Sequence, residues 1–224
     1  MAEPERRLPS PPYNPGLRGL VEGKRAWDAR ANLSNLRAGF RGWHERGYIP
    51  HRDSPGLTQF ITWHLADAYP ASLRGEWAAL LRIEEDRERR KKLEAYLDKG
   101  RGDCCLRRPE LATVCQRALQ EFDGRSYVLK AWCIMPNHVH VLVLTTAVPM
   151  SEFVRAWKGA TARQSNQLLG RVKSSFWAEG YWDTYMRDER QEQKAARYIE
   201  SNPVKAGLAK ETRQWPWSSA SGKA

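Results

Sequence analysis

The chain has 224 residues, of which 41% are hydrophobic and 28% charged, and its mean hydropathy is −0.70. That is enough apolar material for one packed domain with extensions, and no run approaches the ~20 apolar residues of a membrane-spanning helix. Lys and Arg number 37 against 26 Asp and Glu, a formal charge of +11 that favours polyanionic partners, nucleic acid first among them.

The first stretch, "MAEPERRLPSPPYNPG", is charged and proline-rich where a signal peptide needs an apolar core, so a soluble, cytoplasmic protein is expected. Residues 1–56 read as a basic N-terminal extension in which Arg18, Arg25, Arg30, Arg37, Arg41 and Arg46 recur among Trp27, Phe40, Trp43 and Tyr48. Such a segment is either a solvated face or a strip lying along a nucleic-acid backbone.

"LTQFITWHLADA" alternates as a strand, with Phe60, Thr62 and His64 on one face and Ile61, Trp63 and Leu65 on the other. A helix is predicted next, capped by Ser72, with Leu73, Trp77, Leu80 and Leu81 at helical spacing; its middle, "EEDRERRKK", reads as a solvated face, and Gly100 and Gly102 close it. The segment around Cys104 and Cys105 shows no C-x-x-C pair, and with Cys115 and Cys133 these are expected to be free thiols in a reducing cytosol. "RPELATVCQRALQEF" resumes a helix whose buried stripe would be Leu111, Val114, Cys115, Ala118, Leu119 and Phe122.

"SYVLKAWCIMPNHVHVLVLTT" reads as two strands joined by a turn at Met135-Pro136-Asn137. Residues two apart in a strand share a face, so His138, His140, Leu142 and Leu144 lie on one side and Val139, Val141 and Val143 on the other. Two imidazoles so placed can converge on one divalent ion, or they can be ordinary surface or core histidines. A helix capped by Ser151 and stopped by Gly170 follows, then an aromatic, extended segment, then a helix ended by Asn202-Pro203. On that last helix Tyr198 and Asn202 stack one above the other, either as a functional pair or as an edge tyrosine and a helix-ending asparagine. The order of elements suits an α+β fold: a ferredoxin-like four-stranded antiparallel sheet with helices on one face.

Taken together, "WCIMPNHVHVLV", "FWAEGYWDTYMRDE", "YIESNPVKAGL" and "WPWSSA" make the chain resemble the single-tyrosine HUH transposases of the IS200-like superfamily, in their REP-associated branch. The resemblance runs from about Gly47 to Ala220. It implies a catalytic domain over 57–208 with a tail over 209–224, metal ligands at His138 and His140, and a nucleophile at Tyr198. Asn202 occupies the position of a polar third ligand that is often Gln. It further implies Mg²⁺ or Mn²⁺ as the ion, single-stranded DNA with imperfect palindromic hairpins as the partner, a 5′-phosphotyrosine intermediate, and a largely monomeric protein. Arg155, Lys158, Arg163, Arg171 and Lys173, expected near the site, together with Lys194 and Lys205, are candidate DNA contacts. Trp177, Tyr181, Trp182 and Tyr185 either stack on unpaired bases or belong to the core. A catalytically silent hairpin-binding protein and a metal-dependent RNA nuclease are the alternative functions.

Overall fold

The apolar runs of the sequence become the strands of one sheet. The structure is a computed structural model that describes residues 33–45, 50–69, 86–172 and 174–221. A short helix, α1 (Leu33–Arg37), leads into a hairpin of β1 (Gly42–Glu45) and β2 (Pro50–Asp53), and β3 (Thr58–His64) follows. Then come α2 (Asp86–Leu97), α3 (Pro109–Gln120), β4 (Tyr127–Ile134), β5 (His138–Thr145), α4 (Met150–Leu168), β6 (Trp182–Tyr185) and α5 (Glu189–Lys205). The predicted cap Ser72 and the apolar positions 73–81 lie outside the described residues.

β3 to β6 form an antiparallel sheet in the order β4-β5-β3-β6, the ferredoxin-like arrangement expected from the sequence. Val139, Val141 and Val143 join Ile61, Trp63, Trp132 and Ile134 on one face, beneath Leu111, Cys115 and Leu119 of α3 and Phe153 and Trp157 of α4. Burying each large apolar side chain there contributes roughly 1.5–3 kcal/mol. This face carries α3 and α4 as expected, but α5 lies on the opposite face. There Ala195, Ala196 and Ile199 of α5, with Trp215, cover Ala131, Cys133 and Leu142. The small alanines let α5 approach the face that carries Phe60, Thr62 and the two β5 histidines.

Several local expectations differ from the structure. Phe122 falls beyond the end of α3 and is 42% exposed, because its stripe position exists only if the helix continues. Ser151 does not cap α4: the N-cap residue is Pro149, and the Met150 N–H donates instead to Asp53 Oδ1 at 3.1 Å. Pro203 does not stop α5, which runs on to Lys205. A proline near a helix end removes one internal hydrogen bond, and the Ala206 N–H to Asn202 carbonyl bond (3.0 Å) still closes the last turn. Asn202 therefore keeps helical geometry and stays on the Tyr198 face.

The β1–β2 hairpin, within the segment read as an extension, packs on the sheet edge. Gln59 Nε2 donates to the Arg52 carbonyl at 2.6 Å, and His51 Nδ1 is bonded to Asp183 of β6. At the other end of the chain, Trp215 Nε1 donates to the Ile134 carbonyl (2.9 Å) and the Ile134 N–H to the Trp217 carbonyl. The tail is thereby sewn to β4. All four cysteines are free and buried, and among the described residues no helix is long and apolar enough to cross a membrane.

Candidate active site

Strand pairing sets the first layer of the site. β3 lies beside β5 with Thr62 opposite His140 and His64 opposite His138. Both β5 histidines are 0% exposed, and their Nε2 atoms converge to 3.1 Å. Each ring is held from behind. Thr62 Oγ1 lies 2.8 Å from His140 Nδ1, and Asn137 Oδ1 lies 2.8 Å from His138 Nδ1.

The Asn137 amide cannot be turned the other way. Its Nδ2 donates to the carbonyls of Leu97 (3.2 Å) and Arg101 (3.0 Å), so its oxygen must accept the proton on His138 Nδ1. The lone pair of His138 therefore sits on Nε2, aimed at His140. Burial, and then the neighbouring His140 and His64 rings, push His138 well below the ordinary histidine range. Burial, reinforced by Lys205, lowers His140 to about 3. Both rings are neutral at pH 7, the form that ligates a metal.

α5 supplies the second layer. The Tyr198 hydroxyl donates to Glu94 Oε2 at 2.9 Å, and its ring meets His140 and Phe60 edge-on at 5.9 and 6.0 Å. Lys205 Nζ sits 4.3 Å above the phenol ring, a cation–π contact. Burial, then the charges of Glu94 and Asp98, push the phenol above its ordinary range, so Tyr198 rests fully protonated. Asn202, one turn on, is 0% exposed, and neither its Oδ1 nor its Nδ2 has a hydrogen-bond partner. The amide lies close enough to the phenol to offset its shift slightly, but falls short of hydrogen-bond geometry.

α2 supplies a third layer that the sequence reading missed. Glu94 and Asp98, four apart, both reach the site, and Asp98 Oδ1 lies 3.8 Å from His138 Nε2. Burial raises Asp98 to about 6, against the pull of Lys205. The charged run before these residues reads as solvated. Leu93, Tyr96 and Leu97, all buried, are the signal that this helix end turns inward.

The candidate DNA contacts divide. Lys205 and Lys194 are exposed on α5, on the histidine side of the sheet. Arg155, Lys158 and Arg163 belong to α4, which packs on the valine face, so they lie across the sheet from the site rather than beside it. Lys158 is engaged within the fold: its ammonium donates to the carbonyls of Ala178 (2.7 Å) and Gly180, and burial lowers it to about 8. Arg171 pairs with Asp103 at 2.8 Å, and Lys173 lies outside the described residues. Trp177 and Trp182 are buried core, while Tyr185 is half-buried against Trp43 and Arg52.

Residues 105–202 match the family model described as "Transposase IS200 like". That segment holds both histidines, Tyr198 and Asn202. The resemblance to IS200-like transposases holds. Two curated relatives carry the name REP-associated tyrosine transposase. One, in Haemophilus influenzae, where the name is provisional, is 29% identical over 100 residues, 40% of this chain and 56% of the relative. The other, in Escherichia coli K12, is 27% identical over 94 residues, 42% of this chain and 54% of the relative. The chain thus spans about half the length of the curated relatives it matches. A solved REP-associated tyrosine transposase, bound to a REP hairpin, superposes with a TM-score of 0.45 at 20% identity, covering 78% of this chain and 80% of that one.

The donor set suits a divalent ion. Two neutral imidazoles converge edge to edge through their Nε2 atoms, and the fully buried Asn202 amide on the Tyr198 helix lacks any hydrogen-bond partner. Among the described residues no three His, Cys, Asp or Glu side chains form a group that could hold a metal ion.

Proposed function

We propose that this chain cleaves and rejoins single-stranded DNA beside palindromic hairpins, through a covalent 5′-phosphotyrosine at Tyr198. The observation that carries this reading is the packing of the half-buried Tyr198 of α5 against His140 of β5, whose Nε2 meets that of His138, with the partnerless Asn202 amide one helical turn from the phenol. A phenol is a weak nucleophile at neutral pH, and this one is pushed further from ionisation, so attack requires help. His138, His140 and Asn202 would hold Mg²⁺ or Mn²⁺, which supplies polarisation of the scissile phosphate and offsets charge there.

The chain's own residues do the rest. Tyr198 Oη forms a bond to phosphorus while the bond from phosphorus to the 3′-oxygen breaks. The phenol proton leaves to the Glu94 carboxylate, its hydrogen-bond acceptor, and the departing 3′-oxygen takes up a proton from solvent. The phosphodiester energy is conserved in the tyrosyl link, so a 3′-hydroxyl can reverse the step and join strands. Lys205, above the ring, and Lys194 on the same helix are suited to hold the DNA backbone.

A second reading is a hairpin-binding protein that does not cut, in which the Tyr198 hydroxyl stays hydrogen-bonded to Glu94. One experiment separates the two. The full chain is mixed with a labelled hairpin-flanked strand and Mn²⁺, and resolved on a denaturing gel. A labelled adduct that disappears in Tyr198→Phe supports the transposase; tight binding with no adduct in Mg²⁺ or Mn²⁺ supports the binder.

A further inference from the structure

We propose that Ser219, in the tail that follows α5, is a positioning residue for strand cleavage: it ties the helix that carries Tyr198 to the strand that lies beside His140. The inference rests on the cleavage reading of the site. β4 is an edge strand of the sheet, and the tail runs along that edge. Trp215 Nε1 donates to the Ile134 carbonyl, the Ile134 N–H donates to the Trp217 carbonyl, and Ser218 forms an antiparallel bridge with Cys133. Ser219 then satisfies both backbone groups of Trp132. Its N–H donates to the Trp132 carbonyl at 2.9 Å, and its Oγ accepts from the Trp132 N–H at 3.0 Å. Cys133, in the middle of this strip, is the β4 residue opposite His140.

The same hydroxyl reaches the other half of the site. Ser219 Oγ donates to Glu200 Oε1 at 2.9 Å, and Glu200 stands on α5 midway between Tyr198 and Asn202. A hydrogen bond to a carboxylate is stronger than one between neutral groups. The first turn of α5 is tied to β4 separately, by the Lys130–Glu192 ion pair. Between the two ties α5 lays Ala195 and Ala196 on the sheet. Single methyl groups make low ridges, so they resist a slide or roll of the helix only weakly.

In-line attack needs the Tyr198 oxygen opposite the leaving 3′-oxygen, and a misplacement of about 1 Å can cost on the order of a hundredfold in rate. A helix released at Glu200 still carries its tyrosine and still meets DNA, but its phenol spends less time in line.

The test times adduct formation by the full chain with a labelled hairpin-flanked strand and Mn²⁺ at saturating DNA. Ser219→Ala is expected to react at least about tenfold more slowly, with DNA affinity in filter binding unchanged. Ser219→Thr, which keeps the hydroxyl, should recover most of the loss. Hydrogen exchange without metal or DNA should be faster for the α5 amides around Glu200 in Ser219→Ala, and unchanged in β5. Urea unfolding checks that each variant folds, and Glu200→Gln, which weakens the acceptor, carries the same comparison if Ser219→Ala does not. A wild-type rate in Ser219→Ala, an equal loss in Ser219→Thr, a loss that excess DNA removes, or unchanged exchange in α5 overturns the role of Ser219 and leaves the cleavage reading standing. No adduct from wild type overturns both.

Discussion

Asn202→Leu exchanges two amide atoms for methyl groups on the same branched frame. In the metal-free protein the wild-type amide is fully buried and both its polar atoms lack partners. Leaving a buried polar group unsatisfied costs about 1–3 kcal/mol, and an apolar group of the same shape removes that penalty. The variant should therefore be about 1–3 kcal/mol more stable than wild type in EDTA, read as the urea midpoint at constant m-value. Saturating Mn²⁺ reverses the order. At a hundredfold excess over its dissociation constant a ligand adds about 2.7 kcal/mol to the protein that binds it. Wild type gains this and the variant gains much less. The same variant should give no covalent DNA adduct. Two results would refute the reasoning: lower stability of Asn202→Leu in EDTA, or equal stabilisation of both proteins by Mn²⁺.

Further outcomes follow from other parts of the structure. His64 is buried with its pKa lowered to about 4 from 6.5, so below pH 6.5 the unfolded chain takes up a proton that the folded one refuses. Stability in EDTA should fall as pH drops from 6.5 toward 4, by on the order of 3 kcal/mol from His64 alone. His138 and His140 act in the same direction, and His64→Gln should flatten the acid limb of the urea-midpoint profile without abolishing it. Gly102→Ala meets both a positive φ and the Asp67 carbonyl. It should lose roughly 2–4 kcal/mol in urea unfolding, and unchanged stability would mean that the turn relaxes freely. Lys158→Met strips the Ala178 and Gly180 carbonyls of their donor. It should lower stability by about 1–3 kcal/mol while DNA affinity in filter binding stays at the wild-type value. Lys205→Ala should instead reduce the salt slope of single-stranded DNA binding by about 0.7.

How much of this was legible depends on how far apart the interacting residues lie in the chain. The valine and histidine faces of β5 could be read directly, since strand alternation is a two-residue rule. Tyr198 and Asn202 share a face by the equally local four-residue rule, although Pro203 suggested that the helix ended between them and the next turn. The cap of α4 was misplaced at Ser151 because the acceptor that serves its first N–H is Asp53, on a different element. The α4 cations were assigned to the site because sequence says where a helix is amphipathic, not which side of a sheet it will cover. Glu94 and Asp98 were passed over because a helix that begins in a charge run looks solvated throughout; contact with α5 and the β4–β5 turn is what brings its end inward.

By itself the sequence determined the sheet, its two chemically distinct faces, the paired histidines and the helical register of tyrosine to asparagine, because each depends on neighbours within one turn or one pleat. The tertiary structure decided that α5 lies over the histidines while α4 lies behind them. It also decided that Asn137 ties the end of α2 to the hairpin turn, and that two carboxylates surround a phenol otherwise read as paired only with a metal site. Those outcomes rest on packing complementarity and buried hydrogen bonds between segments distant in the chain, which no local pattern encodes.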